Sequence, residues 1–322
     1  MVETRYHKTF VIDSEFAGRR LDQTLAVLCE DQSRSLISKW ILDEAVTVNG
    51  EFAKPNLRLK GGELIEINGE PPKVLDWDTS EDIQFPLIYE DEHIIVVDKP
   101  AGLVVHPGSG NPNRTLVNGL LARYSELTKL PRAGIVHRLD KDTSGALVVA
   151  RSELALRVLS QAISDRSVTR EYTAILEGIL ELPRTVDLPI GRNPRDRTKQ
   201  QVRDSGRAAQ TEIVPLNTYR RHTLIRAKLH TGRTHQIRVH AEAIGYPVLG
   251  DRIYGARGIL PKHPSQSFIE VISKFPRQAL HAHRLVLSHP KTTKRVAFVS
   301  AIPEDIQQAI AALEQDMSYT DR

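Results

Sequence analysis

At 322 residues, with 40% hydrophobic and 26% charged side chains, the chain has a soluble globular composition and room for two domains. Its single cysteine, Cys29, excludes an intramolecular disulfide framework, and no apolar run approaches the roughly 18 residues needed to cross a bilayer. The start lacks the apolar core of a secretory signal, so a cytoplasmic location is expected. The net charge of +4 is small, but it is unevenly spread. Residues 1–78 hold 10 Lys and Arg against 14 Asp and Glu, whereas residues 191–240 hold 12 against 3. So dense a basic stretch is the footprint of a phosphate-backbone binder, or else a solvated face. Aromatic residues are only 5% of the chain, which argues against an extended base-stacking platform.

Residues 1–17 alternate weakly and predict a short strand. Leu21, Leu25 and Leu28 recur at a helical period, and 33–42 repeats the pattern with Ser33 or Ser35 as N-cap. Val46-Thr47-Val48 runs into an Asn49-Gly50 turn, a hairpin signal, and 61–67 closes the region as a strand. Pro-rich, aperiodic residues, narrowed to 78–86, read as an interdomain linker. A hairpin-like pair of strands follows over 87–100, the second apolar on both faces and hence central. Helices are expected over 115–124, 154–164 and 303–315, and strands over 168–178, 224–229 and 280–287. The basic segment 191–210 reads as a mobile hairpin or loop. His235 to His240 alternates, predicting a strand with His235, Ile237 and Val239 inward. Strands outnumber helices, so the economical architecture is α+β: a mixed, mainly antiparallel sheet with flanking helices.

The stretch 134–149 concentrates the chemistry. His137, Arg138 and Asp140 precede a turn of Asp142, Thr143, Ser144 and Gly145, and an apolar run follows. Taken alone, Arg138-Leu139-Asp140 suits a surface ion pair in a hairpin. Asp140 and Asp142 suit one functional acid plus one turn-capping side chain better than a two-carboxylate glycosidase. No phosphate-cradling glycine motif is present. His235 with His240, and His281 with His283, lack the partners of a metal site, so no metal is expected.

Four separated motifs carry a resemblance over nearly the whole chain. They are Asp98-Lys99-Pro100-Ala-Gly-Leu-Val-Val-His106-Pro107, His137-Arg138-Leu139-Asp140-Lys-Asp-Thr-Ser-Gly145, Arg170-Glu171-Tyr172, and Thr231-Gly-Arg233-Thr-His-Gln-Ile-Arg238-Val-His240. In this order they resemble the RluA-type pseudouridine synthases. The helix–helix–hairpin unit at the front resembles an S4 domain over 18–77, which places the chain nearest the RluD-like branch that modifies large-subunit ribosomal RNA. The arginine-rich 191–210 segment is the one departure from the family pattern.

The resemblance implies a pseudouridine synthase domain over 87–322 behind a small α/β RNA-binding module. It makes Asp140 the catalytic carboxylate, acting by nucleophilic attack or by proton abstraction from the ribose. A buried carboxylate stays ionised only beside a cation, and Arg238 is the expected partner, with Arg233 in reserve. Tyr172 would stack on the released base and offer a hydroxyl for proton transfer. Arg138 would fill the space left by a flipped uridine, and Lys99 and His106 would line the rim. In the S4-like unit, Arg19, Arg20, Arg34 and Lys39 are expected to face RNA. No redox cofactor, nucleotide or metal is implied, and a monomer is the default. Two other readings stay open: a non-catalytic RNA chaperone or assembly factor, and an RNA glycosidase releasing free uracil. Asp140 together with Arg238 and Tyr172 favours the synthase.

Overall fold

The structure, a computed structural model of the chain, describes residues 5–29, 32, 34–70, 80–108, 111–196 and 198–318. The chain forms two compact units, Met1–Asp76 and Trp77–Arg322.

The first unit contains β1 (Tyr6–Val11), α1 (Leu21–Leu28), α2 (Arg34–Leu42), β2 (Val46–Val48), β3 (Glu51–Phe52) and β4 (Leu64–Gly69). The strands pair in the order β1-β4-β2-β3. Leu21 and Leu25 of α1, with Ile37, Trp40 and Ile41 of α2, bury against Ile65 and Ile67, the alternate residues of β4. Asn49 and Gly50 both take positive φ, 51° and 82°, and form the tight turn between β2 and β3. Ser33 and the side chain of Ser35, the expected caps of α2, lie outside what is described.

The second unit is built on one nine-stranded sheet. In chain order it holds β5 (Leu87–Glu90), β6 (Ile94–Lys99), α3 (Leu116–Arg123), β7 (Ser144–Ala150), α4 (Glu153–Ser164), β8 (Thr169–Glu177) and β9 (Arg184–Asp187). A hairpin of β10 (Ile190–Arg192) and β11 (Gln200–Val202) follows. Then come β12 (Gln210–Thr218), β13 (His222–Leu229), α5 (Gln236–Ala243), α6 (Gln266–Val271), β14 (Leu280–Ser288), β15 (Arg295–Val299) and α7 (Glu304–Met317). The sheet runs β5-β6-β7-β14-β8-β13-β12-β9, with β15 added on β14. Its described pairings are antiparallel except β7 with β14.

Burial on both faces, at a period of two, explains the unbroken apolar runs Ile94–Val97 of β6 and Ala146–Ala150 of β7. Ile95, Val97, Leu147 and Val149 face the main core, which includes buried residues of α3 and α7. Ile94, Val96, Val148 and Ala150 face the opposite cluster, where Ala155 and Leu159 of α4 pack. Helix starts follow the sequence: the Ser152 hydroxyl accepts from the Ala155 amide at 3.2 Å, and Thr115 with Asn118 forms a reciprocal cap on α3. Phe85, within the expected linker, is buried in the main core.

One element differs in kind from its sequence expectation. Residues 236–243 form α5, where alternation predicts a strand. Gln236, Ile237, Arg238, Val239, His240 and Ala241 are all buried, so polar and apolar residues alike face protein. Gln236 bonds the Gln210 carbonyl and Thr211, and His240 bonds Thr211 and the Leu188 carbonyl. When buried polar side chains find partners on every face, the alternation of polarity no longer marks a solvent side.

Candidate active site

The loop 137–143 enters β7 from beneath a cavity of about 1410 Å³. Gly145, at φ 113°, begins the parallel contact with β14, and a Cβ there would meet the Ala282 carbonyl oxygen at 2.3 Å. The loop is pinned along its length. The Val148 amide donates to His137 Nε2 at 3.0 Å, and the Thr143 amide to the Asp140 carbonyl at 3.1 Å. Lys99 Nζ donates to the carbonyls of Pro100, Leu103 and Lys141 at 2.8–2.9 Å. Arg277 Nη1 donates to the Asp142 carbonyl at 3.0 Å while its fork grips Asp305 at 2.7 and 2.9 Å. Asp140 is therefore presented on a loop whose backbone is held from three sides.

The Asp140 side chain lines the cavity and is 16% exposed. Arg238 Nη1 reaches Asp140 Oδ2 at 3.2 Å across 98 residues of sequence. The rest of that guanidinium is taken by Asp251, Nε to Oδ2 at 2.6 Å and Nη2 to Oδ1 at 2.8 Å. Asp251 is fully buried, and its Oδ1 also accepts from the Ile253 and Tyr254 amides. Burial opposes the Arg238 charge, but the two carboxylates more than offset it and lift its pKa above the ordinary arginine value. The fork is thereby fixed in one orientation, which a lysine could not reproduce.

His235, in a left-handed conformation just before α5, puts Nε2 3.8 Å from Asp140 Oδ1. Burial lowers its pKa, so the ring is neutral at pH 7. Its Nδ1 lies 2.7 Å from the Tyr254 hydroxyl, which accepts from the Gln200 amide. Tyr172 of β8 lines the same cavity and is buried, and burial pushes its hydroxyl up to about 12. It stays protonated across the physiological range. Arg138 lines the same cavity exposed, with no hydrogen bond or ion pair among the described residues. His106 and Arg233 also line it, the latter donating Nε to the Ala208 carbonyl at 3.1 Å and not reaching Asp140. The arrangement offers a carboxylate fixed by a buried cation, a flat phenol lining the same cavity and an exposed guanidinium. That set suits attack on, or deprotonation of, a sugar whose base is gripped by an aromatic ring.

Comparison with known proteins fits this geometry. Residues 93–243 match the profile of the RNA pseudouridylate synthases, and residues 19–65 that of the S4 domain. The ribosomal large subunit pseudouridine synthase D of Xanthomonas campestris pv. campestris is 45% identical over 309 residues, 95% of this chain and 92% of its own. The chain belongs to the RNA pseudouridylate synthase family. The protein of the same title from Escherichia coli K12 is 44% identical over 313 residues, 97% and 96% of the two chains. Among solved structures, human RNA pseudouridylate synthase domain containing 1 superposes with a TM-score of 0.53 at 25% identity, over 76% of this chain and 98% of its own. Human RNA pseudouridylate synthase domain containing 4 shares the fold, with a TM-score of 0.56 at 23% identity, over 71% and 92%.

The cavity thus gathers Asp140, Arg138, Tyr172, Arg238, Arg233 and His106. Lys99 does not belong with them. It is 0% exposed and lies beneath the loop, its ammonium bound to three carbonyls, so the rim position expected for it is corrected to a buried clamp. Burial lowers its pKa to about 7, against the pull of Asp142 and Asp140. Asp251, His235, Tyr254 and Arg277 were not legible as site residues. Nothing local marks Asp251; the available signal was that a buried arginine beside one carboxylate calls for another.

In the S4 unit, Arg20 and Arg34 converge on nearly buried Asp22, at 2.9 and 2.8 Å. Arg19 stacks over Phe16 at 5.3 Å, and Lys39 is exposed on α2. Asp22 thus orients two of the four cations that sequence marked for RNA. Among the described residues no helix is long and apolar enough to cross a membrane.

Proposed function

We propose that the protein isomerises specific uridines to pseudouridine in large-subunit (23S) ribosomal RNA, with Asp140 as the catalytic group. The observation that carries this reading is Asp140 held by the Arg238–Asp251 fork at the wall of a cavity that Tyr172 also lines. The reaction breaks the bond from ribose C1′ to N1 and makes one from C1′ to C5. N1 gains a proton and C5 loses one. Asp140 starts it by attack at C1′ or by removing the C2′ proton to give a glycal. Arg238 holds the carboxylate in place for either route. Tyr172 keeps the detached base stacked while it turns, and its protonated hydroxyl serves as a donor to the base.

A uridine in folded RNA must leave its stack to reach Asp140. Arg138, exposed and unpaired, is suited to fill the gap and hold the displaced backbone, and His106 and Arg233 border the entry. The domain reading is an S4-like RNA-binding domain over 18–77, a linker over 78–86 and the catalytic domain over 87–322. Arg19, Arg20, Arg34 and Lys39 supply the first domain's contact to RNA. The substrate is ribosomal RNA, bare or in an assembling particle, met in the cytoplasm by a monomer. An isomerisation so close to energy-neutral needs no oxidant or nucleotide.

Isomerisation leaves RNA mass unchanged, so carbodiimide-adduct mapping is the test. Ribosomal RNA from cells lacking the gene should lose adduct sites that return with wild type and not with Asp140→Asn. Restoration by Asp140→Asn would favour the chaperone reading, and an unchanged pattern in all strains would refute the large-subunit assignment.

A further inference from the structure

Arg170 is a buried cation with no counterion. It sits in β8, 7% exposed, and its Nε has no acceptor. Among the described residues its guanidinium makes no ion pair and no hydrogen bond. Of the carboxylates lining the cavity, Asp140 and Asp251 are committed to Arg238, and Asp142 makes no ion pair with Arg170 among the described residues; neighbouring Glu171 is taken by Arg284. A buried, unpaired charge is strongly disfavoured, so a fold that keeps one keeps it for a ligand of opposite sign.

The surroundings point the same way. Arg170 borders the catalytic cavity together with Arg166, Gly232 and Arg233. A Cβ on Gly232 would stand 2.7 Å from Arg170 Nη1, so only glycine leaves the guanidinium its place. Arg166 stands at φ 61° in the turn between α4 and β8. The pKa of Arg233 is pulled below its ordinary value by burial and by the like charges of Arg207 and Arg166. This wall of the cavity therefore gathers cations.

The ligand must be an anion that accepts several N–H donors at once, which is what a phosphate does for arginine forks. Arg170 and Tyr172 are two residues apart on one strand, so both side chains face the cavity, roughly 6.6 Å apart along the strand. That is the scale on which one nucleotide presents both a base and a backbone phosphate. We propose that Arg170, flanked by Arg166 and Arg233, seats a single phosphodiester of the RNA strand beside the target uridine. The inference rests on the proposed function and adds to it a backbone subsite, separate from the base site, that makes the enzyme select a polymer over a free nucleoside.

The test replaces one phosphodiester at a time with a neutral methylphosphonate in a short RNA substrate. Activity is read as tritium released from C5-labelled uridine, for wild type, Arg170→Gln and Arg170→Lys. In wild type one linkage next to the target should cost about 10- to 100-fold in kcat/KM, the range of a charge-assisted hydrogen bond. Arg170→Gln should lose a similar factor on the unmodified substrate and lose nothing more at that linkage. Arg170→Lys should keep part of the sensitivity. If no linkage matters in wild type, or if the losses multiply in Arg170→Gln, the seat is overturned. If Arg170→Gln does not fold, an Arg170→Lys enzyme that keeps the full wild-type penalty at that linkage overturns it equally. Wild type that releases no tritium from any ribosomal substrate would sink the functional reading, and this inference with it.

Discussion

Asp251→Asn tests whether Arg238 works only because something buried holds it. The substitution is nearly isosteric, but it removes a charge and turns one acceptor facing the Arg238 fork into a donor. Of the two bonds of 2.6 and 2.8 Å, one becomes a donor facing a donor and the other loses its charge, in a site where Arg238 is 4% exposed and Asp251 is fully enclosed. Removing one partner of such a pair costs about 3–5 kcal/mol. For a unit of this size that lowers the thermal midpoint by on the order of 10 °C. Catalysis should suffer separately. Arg238 still has Asp140 as a partner, but its fork is no longer fixed, and a displacement of about 1 Å at a reacting group costs on the order of 100-fold in rate. Tritium release at 20 °C, well below the lowered midpoint, should show kcat down by about that factor with KM little changed. Arg238→Lys, which keeps the charge and loses the fork, should show the same split. A folded Asp251→Asn enzyme with wild-type kcat would refute the idea that the buried pair positions Asp140.

Arg138→Ala should leave the thermal midpoint unchanged, because Arg138 is exposed and makes no internal bond, while kcat/KM on structured RNA falls about 10-fold or more. A lowered midpoint would mark it as structural instead. His222 is fully buried in β13, both ring nitrogens without a hydrogen-bond partner among the described residues, and burial, with Arg221, lowers its pKa to about 4. The unfolded chain takes up this proton near pH 6.5 and the native state only near pH 4, so His222 erodes stability as pH falls through that window. His222→Leu should raise stability by about 1–2 kcal/mol at pH 7, and the gain should widen toward pH 4 in urea titrations; a gain that does not depend on pH would refute the assignment.

How much of this was legible in the sequence depended on whether a residue's partner was near it in the chain. The central strands could be read because Ile94 to Val97 and Ala146 to Ala150 are apolar on both faces, and only a strand buried on both sides tolerates that. Asp140 and Tyr172 could be found because their motifs are local and ordered. The helix α5 could not, since Gln236, Arg238 and His240 are polar residues satisfied inside the protein, and their partners at 188, 210, 211 and 251 are known only once the chain is folded. Lys99 was misplaced for the same reason. A lysine at the end of a strand, next to a proline, looks exposed until three carbonyls are seen to converge on it.

The charges of the site divide between two tasks that conflict. Asp251, Arg238 and Asp140 form a line running from 0% through 4% to 16% exposure, and together they carry one net negative charge. The inner pair neutralises itself, so the residual charge falls on the member that faces the cavity, where the proposed function calls for a nucleophile or base. The same charge repels every phosphate of the incoming strand. Repulsion between an anionic site and a polyanion is long-ranged unless fixed cations stand between them. Arg138 at the edge and Arg166, Arg170 and Arg233 on the wall provide those cations without pairing to Asp140 and quenching it. A reversal that places a carboxylate on this wall, Arg166→Glu, should therefore raise KM steeply at low salt and less at 0.5 M, while leaving kcat at saturation close to wild type. An equal loss at both salt concentrations would show that Arg166 acts by contact or packing, with no part in screening Asp140 from the strand.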